Sequence, residues 1–265
     1  MTRIIAIANQ KGGVAKTTTV ASVGAALSEL GQRVLLVDLD PQACLTFSLG
    51  LDPDALELSM HDVLLQRVSA SMAVVKTDEG MHLLPATIDL AGTEAQLLTR
   101  TGREFALRSA LDDLGGEYET VLIDCSPSLG VLTINALTAA QEVLVPLQCE
   151  TLSHRGVGQL LDTIADVRRI TNRDLRVLGV LPTLYDSRTN HSRAVLADVS
   201  MRYGLDVLGP AIPRSIRFAE APAAGRSVLA SSGTRARGAQ AYRALARGLV
   251  DGTAVTTPEK IGASA

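Results

Sequence analysis

Ile4-Ile5-Ala6-Ile7-Ala8-Asn9-Gln10-Lys11-Gly12-Gly13-Val14-Ala15-Lys16-Thr17-Thr18-Thr19 joins an apolar strand pattern, a glycine-containing loop and the start of a helix. The helical pattern runs on through Val20, Val23, Ala26, Leu27 and Leu30. Strand, loop, Lys-Thr and helix in this order grip nucleotide phosphates, because loop amides and the free amides of the first helical turn converge on an anion. Gly12, Gly13, Val14, Ala15 and Thr18 would form the cradle. Lys16 would reach the β- and γ-phosphates, and the Thr17 hydroxyl would hold Mg²⁺.

The strict form G-x-x-x-x-G-K-[ST] is broken at both glycines, with Gln10 at the first and Ala15 at the last. A second lysine, Lys11, stands five residues before Lys16. With it, K-G-G-V-x-K-T-T resembles the deviant P-loop of the ParA/MinD family of ATPases. The resemblance implies that Lys11 crosses a dimer interface to phosphates bound by a partner subunit. Extra cations there offset the repulsion between two facing ATP molecules. Ala15 departs from the family's glycine. It is expected to hold ordinary helical dihedrals, which alanine tolerates, the alternative being reduced ATP affinity.

Two further carboxylate sites follow apolar runs. Val34-Leu35-Leu36-Val37-Asp38-Leu39-Asp40-Pro41-Gln42 ends with two aspartates on one side by the strand period of two. Val121-Leu122-Ile123-Asp124-Cys125-Ser126-Pro127 has the Walker-B form, an apolar strand ending in Asp. A lone Asp after a strand is usually a turn or cap residue. A phosphate loop followed in order by two such sites points instead to ATP hydrolysis. Asp124 would hold the Mg²⁺ hydration shell and Asp40 would orient the attacking water. Lys11, Lys16 and Asp40 are thus the candidate catalytic residues, and Thr17, Asp40 and Asp124 the candidate metal set.

The ParA resemblance extends over about residues 3–250, through V-L-L-V-D-L-D-P-Q, V-L-I-D-C-S-P-S-L-G, I-N-A-L-T-A and I-P-R-S-I-R-F-A-E-A-P. It implies that Pro182 and Thr183, after a late strand, stack on adenine and that Ile212-Pro213 closes the other side. It also implies ATP and Mg²⁺ as cofactors and an ATP-dependent homodimer that binds double-stranded DNA without sequence preference. A ParB-like partner would stimulate slow hydrolysis, in chromosome or plasmid partitioning. Arg188, Arg193, Arg214 and Arg217 are candidates for DNA phosphate contacts. Positioning of a protein cargo, or a nucleotide-binding scaffold with little turnover, is the competing reading. MinD-like relatives end in an amphipathic membrane helix, whereas T-T-P-E-K-I-G-A-S-A has no apolar face. No cysteine pair suits the Fe–S cluster of nitrogenase-iron-protein-like relatives.

Net charge divides unevenly along the chain. Residues 1–150 hold 9 Lys and Arg against 19 Asp and Glu, and residues 151–265 hold 16 against 9. A basic second half suits a nucleic-acid face, although a solvated arginine-rich surface has the same composition. Apolar content of 46% over 265 residues supports one large core, and aromatics at 3% make that core aliphatic. No apolar run reaches transmembrane length and no signal pattern opens the chain. The expected location is therefore the cytoplasm, on the nucleoid, with no membrane partner. Cys44, Cys125 and Cys149 are expected as small core or near-core residues.

Apolar runs at Ile4–Ala8, Arg33–Val37, His82–Leu84, Val121–Ile123, Glu142–Pro146 and Val177–Leu181 alternate with helical patterns, the clearest at about 153–171. This rhythm predicts an α/β fold, a single doubly wound and mostly parallel sheet with helices on both faces. Ligands belong outside the carboxyl ends of its strands. Residues 1–250 are expected to form the ATPase domain and 251–265 a disordered tail.

Overall fold

The computed structural model describes residues 2–150, 153–231, 236–256 and 261. Its strands are β1 (Arg3–Ile7), β2 (Val34–Leu39), β3 (Val75–Lys76), β4 (His82–Leu84), β5 (Thr120–Cys125), β6 (Glu142–Gln148), β7 (Arg176–Thr183), β8 (Val207–Leu208) and β9 (Val255–Thr256). The first helices are α1 (Lys16–Glu29), α2 (Cys44–Ser48), α3 (Met60–Leu64), α4 (Ala70–Ala73), α5 (Leu90–Leu97) and α6 (Ala106–Asp112). Then come α7 (Val131–Ala139), α8 (Ser153–Ile170), α9 (Asn190–Tyr203), α10 (Arg217–Ala223), α11 (Val228–Ser231) and α12 (Arg237–Asp251).

All six strands expected from the sequence are present. They belong to one sheet of order β3-β4-β2-β5-β1-β6-β7-β8-β9. Its inner pairs are parallel, and only β3 and β9 at the edges run antiparallel. Alternation along a strand assigns side chains to two cores. Ile4, Ala6, Leu35 and Val37 join Leu132, Val157 and Leu196 on one face. Ile5, Ile7, Val34 and Leu36 join Val20, Val23, Tyr242 and Leu245 on the other. Nearly every β2 and β5 residue is buried, as strands covered on both faces require.

α1 and α12 pack side by side on the second face. Arg243 holds both carboxylate oxygens of Glu29 (2.6 and 2.7 Å), and Tyr242 shares a hydroxyl hydrogen bond with Thr19 (3.1 Å). The described residues continue past residue 250. Gly252 caps α12 in the left-handed conformation, and the Ala254 amide turns back to the Gly248 carbonyl (3.1 Å). Val255 and Thr256 then pair with β8. Residues 257–260 and 262–265 of the expected tail lie outside the described residues.

Candidate functional site

β1 lies at the centre of the sheet, between β5 and β6, so the loop at its carboxyl end is held from several sides. Asn9 sets the first turn. Its Nδ2 donates to the Pro146 carbonyl (2.7 Å) while its Oδ1 accepts from the Lys11 amide (3.0 Å). At the end of β7 the Thr183 hydroxyl donates to the Val14 carbonyl (2.9 Å). A Cβ at Gly12 or Gly13 would meet nothing within 4 Å, so the loop's outer side is an open concavity.

Ala15 corrects an expectation. Its φ of 65° and ψ of 36° are left-handed, not helical. The loop must reverse there to start α1, and for an L-residue that conformation costs about 1–2 kcal/mol. Ala15 offers no side-chain cap and the first turn of α1 holds no acid. The turn's amides are therefore left for an anionic ligand.

Lys16 is 7% exposed and donates to the Lys11 carbonyl (3.2 Å). Burial lowers its pKa, while Asp124, Cys125 and Asp40 work in the opposite direction. Asp38 and Asp124 sit in register on adjacent strands. Asp38 is committed internally: it accepts from the Thr46 amide (2.9 Å), the Thr46 hydroxyl (2.7 Å) and the Asp40 amide (3.1 Å). Burial pushes its pKa up to about 6 against these hydrogen bonds, with the Asp40 carboxylate adding to the rise.

Asp124 is different. Both its carboxylate oxygens are buried and lack a hydrogen-bond partner. Burial and then Asp38 push its pKa well above the ordinary value, and Thr17 and Lys16 oppose them. An orphaned carboxylate between a hydroxyl and an ammonium fits a divalent cation better than any group now beside it. Among the described residues no three His, Cys, Asp or Glu side chains form a metal cage. That suits Mg²⁺, which takes one or two carboxylates and completes its shell with water and substrate phosphate.

Gly12, Gly13 and Ala15 to Thr18 line a cavity of about 620 Å³ together with Asp40, Gln42, Cys44, Phe47, Pro127, Leu184, Ser215 and Phe218. This volume is ample for a mononucleotide. Of the residues expected at adenine, Pro182 and Thr183 are buried inside β7, which runs to Thr183. Pro213 lines a second cavity with Arg214 and Arg217, which shares Ser215 and Phe218 with the first. Leu184, directly after Thr183 and with a left-handed φ of 49°, lines the first cavity, as do Ser215 and Phe218. Ser215 and Phe218 fall within the I-P-R-S-I-R-F-A-E-A-P run, and Leu184 in none of the quoted motifs. They supply surface, not a charged or metal-binding group.

Lys11 pairs with Glu150 (2.5 Å), an acid that the sequence alone did not single out. Cys125 and Cys149 are buried as expected, but Cys44 is exposed at the cavity, because α2 turns it outward. The four candidate arginines are all exposed. Arg188 grips Asp186 with two bonds of 2.9 Å and holds that carboxyl down to about 2. Arg193 donates to Asn190 (2.6 Å), and Arg217 lies 3.5 Å from Glu220. A bridge between Tyr185 and Pro213 brings the 185–193 segment beside residues 213–217, so the four share one region.

The protein family described as AAA domain matches residues 2–177. The sporulation initiation inhibitor protein Soj of Bacillus subtilis (strain 168) is 43% identical over 249 residues, 93% of this chain and 98% of Soj. The chromosome partitioning protein ParA of Caulobacter vibrioides (strain NA1000 / CB15N) is 44% identical over 251 residues, 94% of each chain. Among solved structures, one named cobyrinic acid a,c-diamide synthase from Mycobacterium smegmatis, with bound ATP analog and magnesium, is 61% identical. It superposes with a TM-score of 0.86 over 97% of this chain and 99% of its own.

Proposed function

The chain belongs to the ParA/Soj family of partition ATPases, and from that premise we propose that it hydrolyses ATP with Mg²⁺ as an ATP-dependent dimer on DNA. The observation that carries the nucleotide part is Asp124, a buried and unpartnered carboxylate beside Thr17 and Lys16 at the foot of an uncapped helix. Lys16 and the first amides of α1 hold the β- and γ-phosphates. Thr17 and Asp124 hold Mg²⁺, which when bound neutralises charge on the β- and γ-oxygens. Asp40, partly buried at the cavity, orients the attacking water. Unstimulated turnover is expected to be slow, about 10⁻⁴–10⁻² s⁻¹ by analogy with switch GTPases. A ParB-like partner accelerates it.

Lys11 reaches the facing subunit's phosphates once it leaves Glu150. The surface ion pair is worth little in water, so the exchange is inexpensive. The excess of arginine in the second half, gathered around Asp186, Pro213 and Arg217, supplies the DNA face, and the γ-phosphate selects the dimer that displays it. Binding to arbitrary duplex DNA, measured by sedimentation with ATP, ADP and no nucleotide, tests this reading. Binding with ATP alone, lost as salt rises and with a shallower salt slope in the Arg188→Ala/Arg217→Ala protein, is the expected result. DNA binding that ignores nucleotide, or none in any state, would remove partitioning and leave a protein-positioning ATPase.

The name of the Mycobacterium smegmatis structure raises a second reading, ATP-dependent amidation of a corrinoid carboxylate. If ammonia came from glutamine through a cysteine nucleophile, that cysteine would need ready access to its thiolate. Burial instead pushes the Cys149 thiol up to about 12 and raises Cys125, and Cys44 is raised by burial and by Asp40. ATP turnover that depends on an added corrinoid acid, and not on DNA or a ParB-like protein, would favour the synthase.

A further inference from the structure

We propose that Thr46 is a positioning residue for ATP hydrolysis, which fixes the loop carrying Asp40 through the carboxylate of Asp38. The proposal deepens the ATPase reading above and rests on the role given there to Asp40. One carboxylate closes the loop between β2 and α2. Oδ1 of Asp38 accepts from the Asp40 amide (3.1 Å), where the loop begins. Oδ2 accepts from the Thr46 amide (2.9 Å) and from the Thr46 hydroxyl (2.7 Å), in the first turn of α2. Asp38 and Thr46 are both fully buried.

The Thr46 hydroxyl is used twice, because its oxygen also accepts from the Ala86 amide (2.9 Å), two residues beyond β4. With its proton on Asp38 and a lone pair on Ala86, the hydroxyl is fixed in rotation, and it fixes the carboxylate in turn. Between these anchors the loop closes on itself. The Ala43 amide donates to the Asp40 carbonyl (2.9 Å), and the Gln42 amide donates to Oδ1 of Asp40 (3.0 Å). The Asp40 carboxylate is therefore set by local contacts whose frame is Asp38 and Thr46. Asp40 and Gln42 line the cavity with Lys16 and Thr17, and Thr46 does not, so Thr46 acts on a bound nucleotide only through the loop. Displacing a group that orients a reactant by about 1 Å costs on the order of 100-fold in rate.

The test is a double-mutant cycle read by single-turnover hydrolysis of bound Mg-ATP, with ATP affinity measured separately. Thr46→Val removes the hydroxyl at nearly constant shape. It is expected to slow hydrolysis about 10-fold or more and to leave ATP affinity unchanged. Thr46→Ser, which keeps the hydroxyl, is expected to restore the rate and guards against a misfolded valine variant. In an Asp40→Ala background Thr46→Val should cost nothing further, because the group that it positions is gone. A further loss of similar size in that background would make Thr46 a support of the fold alone and overturn the proposal. An unchanged rate in Thr46→Val, or a serine variant as slow as the valine one, would overturn it as well. Wild-type turnover by Asp40→Ala itself would instead remove the role of Asp40, and the proposal with it.

Discussion

The groups around the cavity are of two kinds. Lys16, 7% exposed, and Asp40 bring charge to it, and Asp38 and Asp124 lie in register on adjacent strands. Phe47, Leu184, Ser215 and Phe218 line the same cavity without a charge. A phosphate must be met by donors and cations at set distances, so few residue types will serve. A base needs a surface of suitable shape, which many residue types supply. The first kind of site is held by electrostatics in a dry setting, the second by packing from behind.

Lys16→Ala should break the charged set outright and has the largest expected effect. Loss of a desolvated charge-assisted contact is worth about 2–3 kcal/mol or more, a loss of roughly 100-fold in affinity. Because the proposed contact is to phosphate, ATP and tripolyphosphate should suffer alike in titration calorimetry. Retained micromolar ATP binding by Lys16→Ala would refute the phosphate assignment.

A pH effect should separate the two kinds next. Asp38 has a folded pKa near 6, above the ordinary value of 3.8. The folded state therefore holds more protons than the unfolded chain between those values, and stability must fall as pH rises through the window. Nucleotide-free protein is expected to melt at a higher temperature at pH 4.5 than at pH 6.5 as far as this group is concerned. Asp38→Asn, which cannot ionise, should flatten the slope relative to wild type, while Phe218→Tyr should leave it unchanged. Equal slopes in wild type and Asp38→Asn would show that the buried pair does not titrate as its setting requires.

The same division decides what could be read before the structure was known. Lys11, Lys16, Thr17, Asp40 and Asp124 announce themselves because phosphate chemistry restricts identity and spacing together. Lys16, Thr17 and Asp40 line one cavity, Asp124 interacts with all three, and Lys11 pairs with Glu150. Strands buried on both faces were equally plain, since Val34–Leu39 and Thr120–Cys125 are nearly uninterrupted apolar runs. The strands β3, β8 and β9 are two residues long, too short for any period to declare itself. A period of two puts Asp38 and Asp40 on one side, and it cannot tell an acid bound to Thr46 from one facing a cavity. The burial of Pro182 and Thr183 could not be read in the same way. β7 carries them inside the sheet, and the chain turns into the cavity only at Leu184.

Ala15 lies in the phosphate loop yet is neither charged nor polar, and Ala43 repeats the pattern at the start of α2. Both are alanines in the left-handed region, with φ of 65° and 49°, directly before a helix that borders the cavity. Glycine would relieve about 1–2 kcal/mol of conformational energy at either place. It would return about 0.4–1 kcal/mol through the greater freedom of the unfolded chain. Ala15→Gly is therefore expected to stabilise the protein by about 0.5–1 kcal/mol, a rise in melting temperature of a few degrees for a chain of this size. Ala43→Gly should behave alike, since its strain has the same origin. The informative quantity is the ATP affinity of the two variants. If the left-handed turn at residue 15 is set by the loop's anchors, Asn9 on Pro146 and Thr183 on Val14, the glycine variant should bind ATP as wild type does while melting later. A weaker affinity in Ala15→Gly alone would mean that the alanine methyl limits the freedom of the empty loop. The strain would then serve binding by holding the cradle in shape.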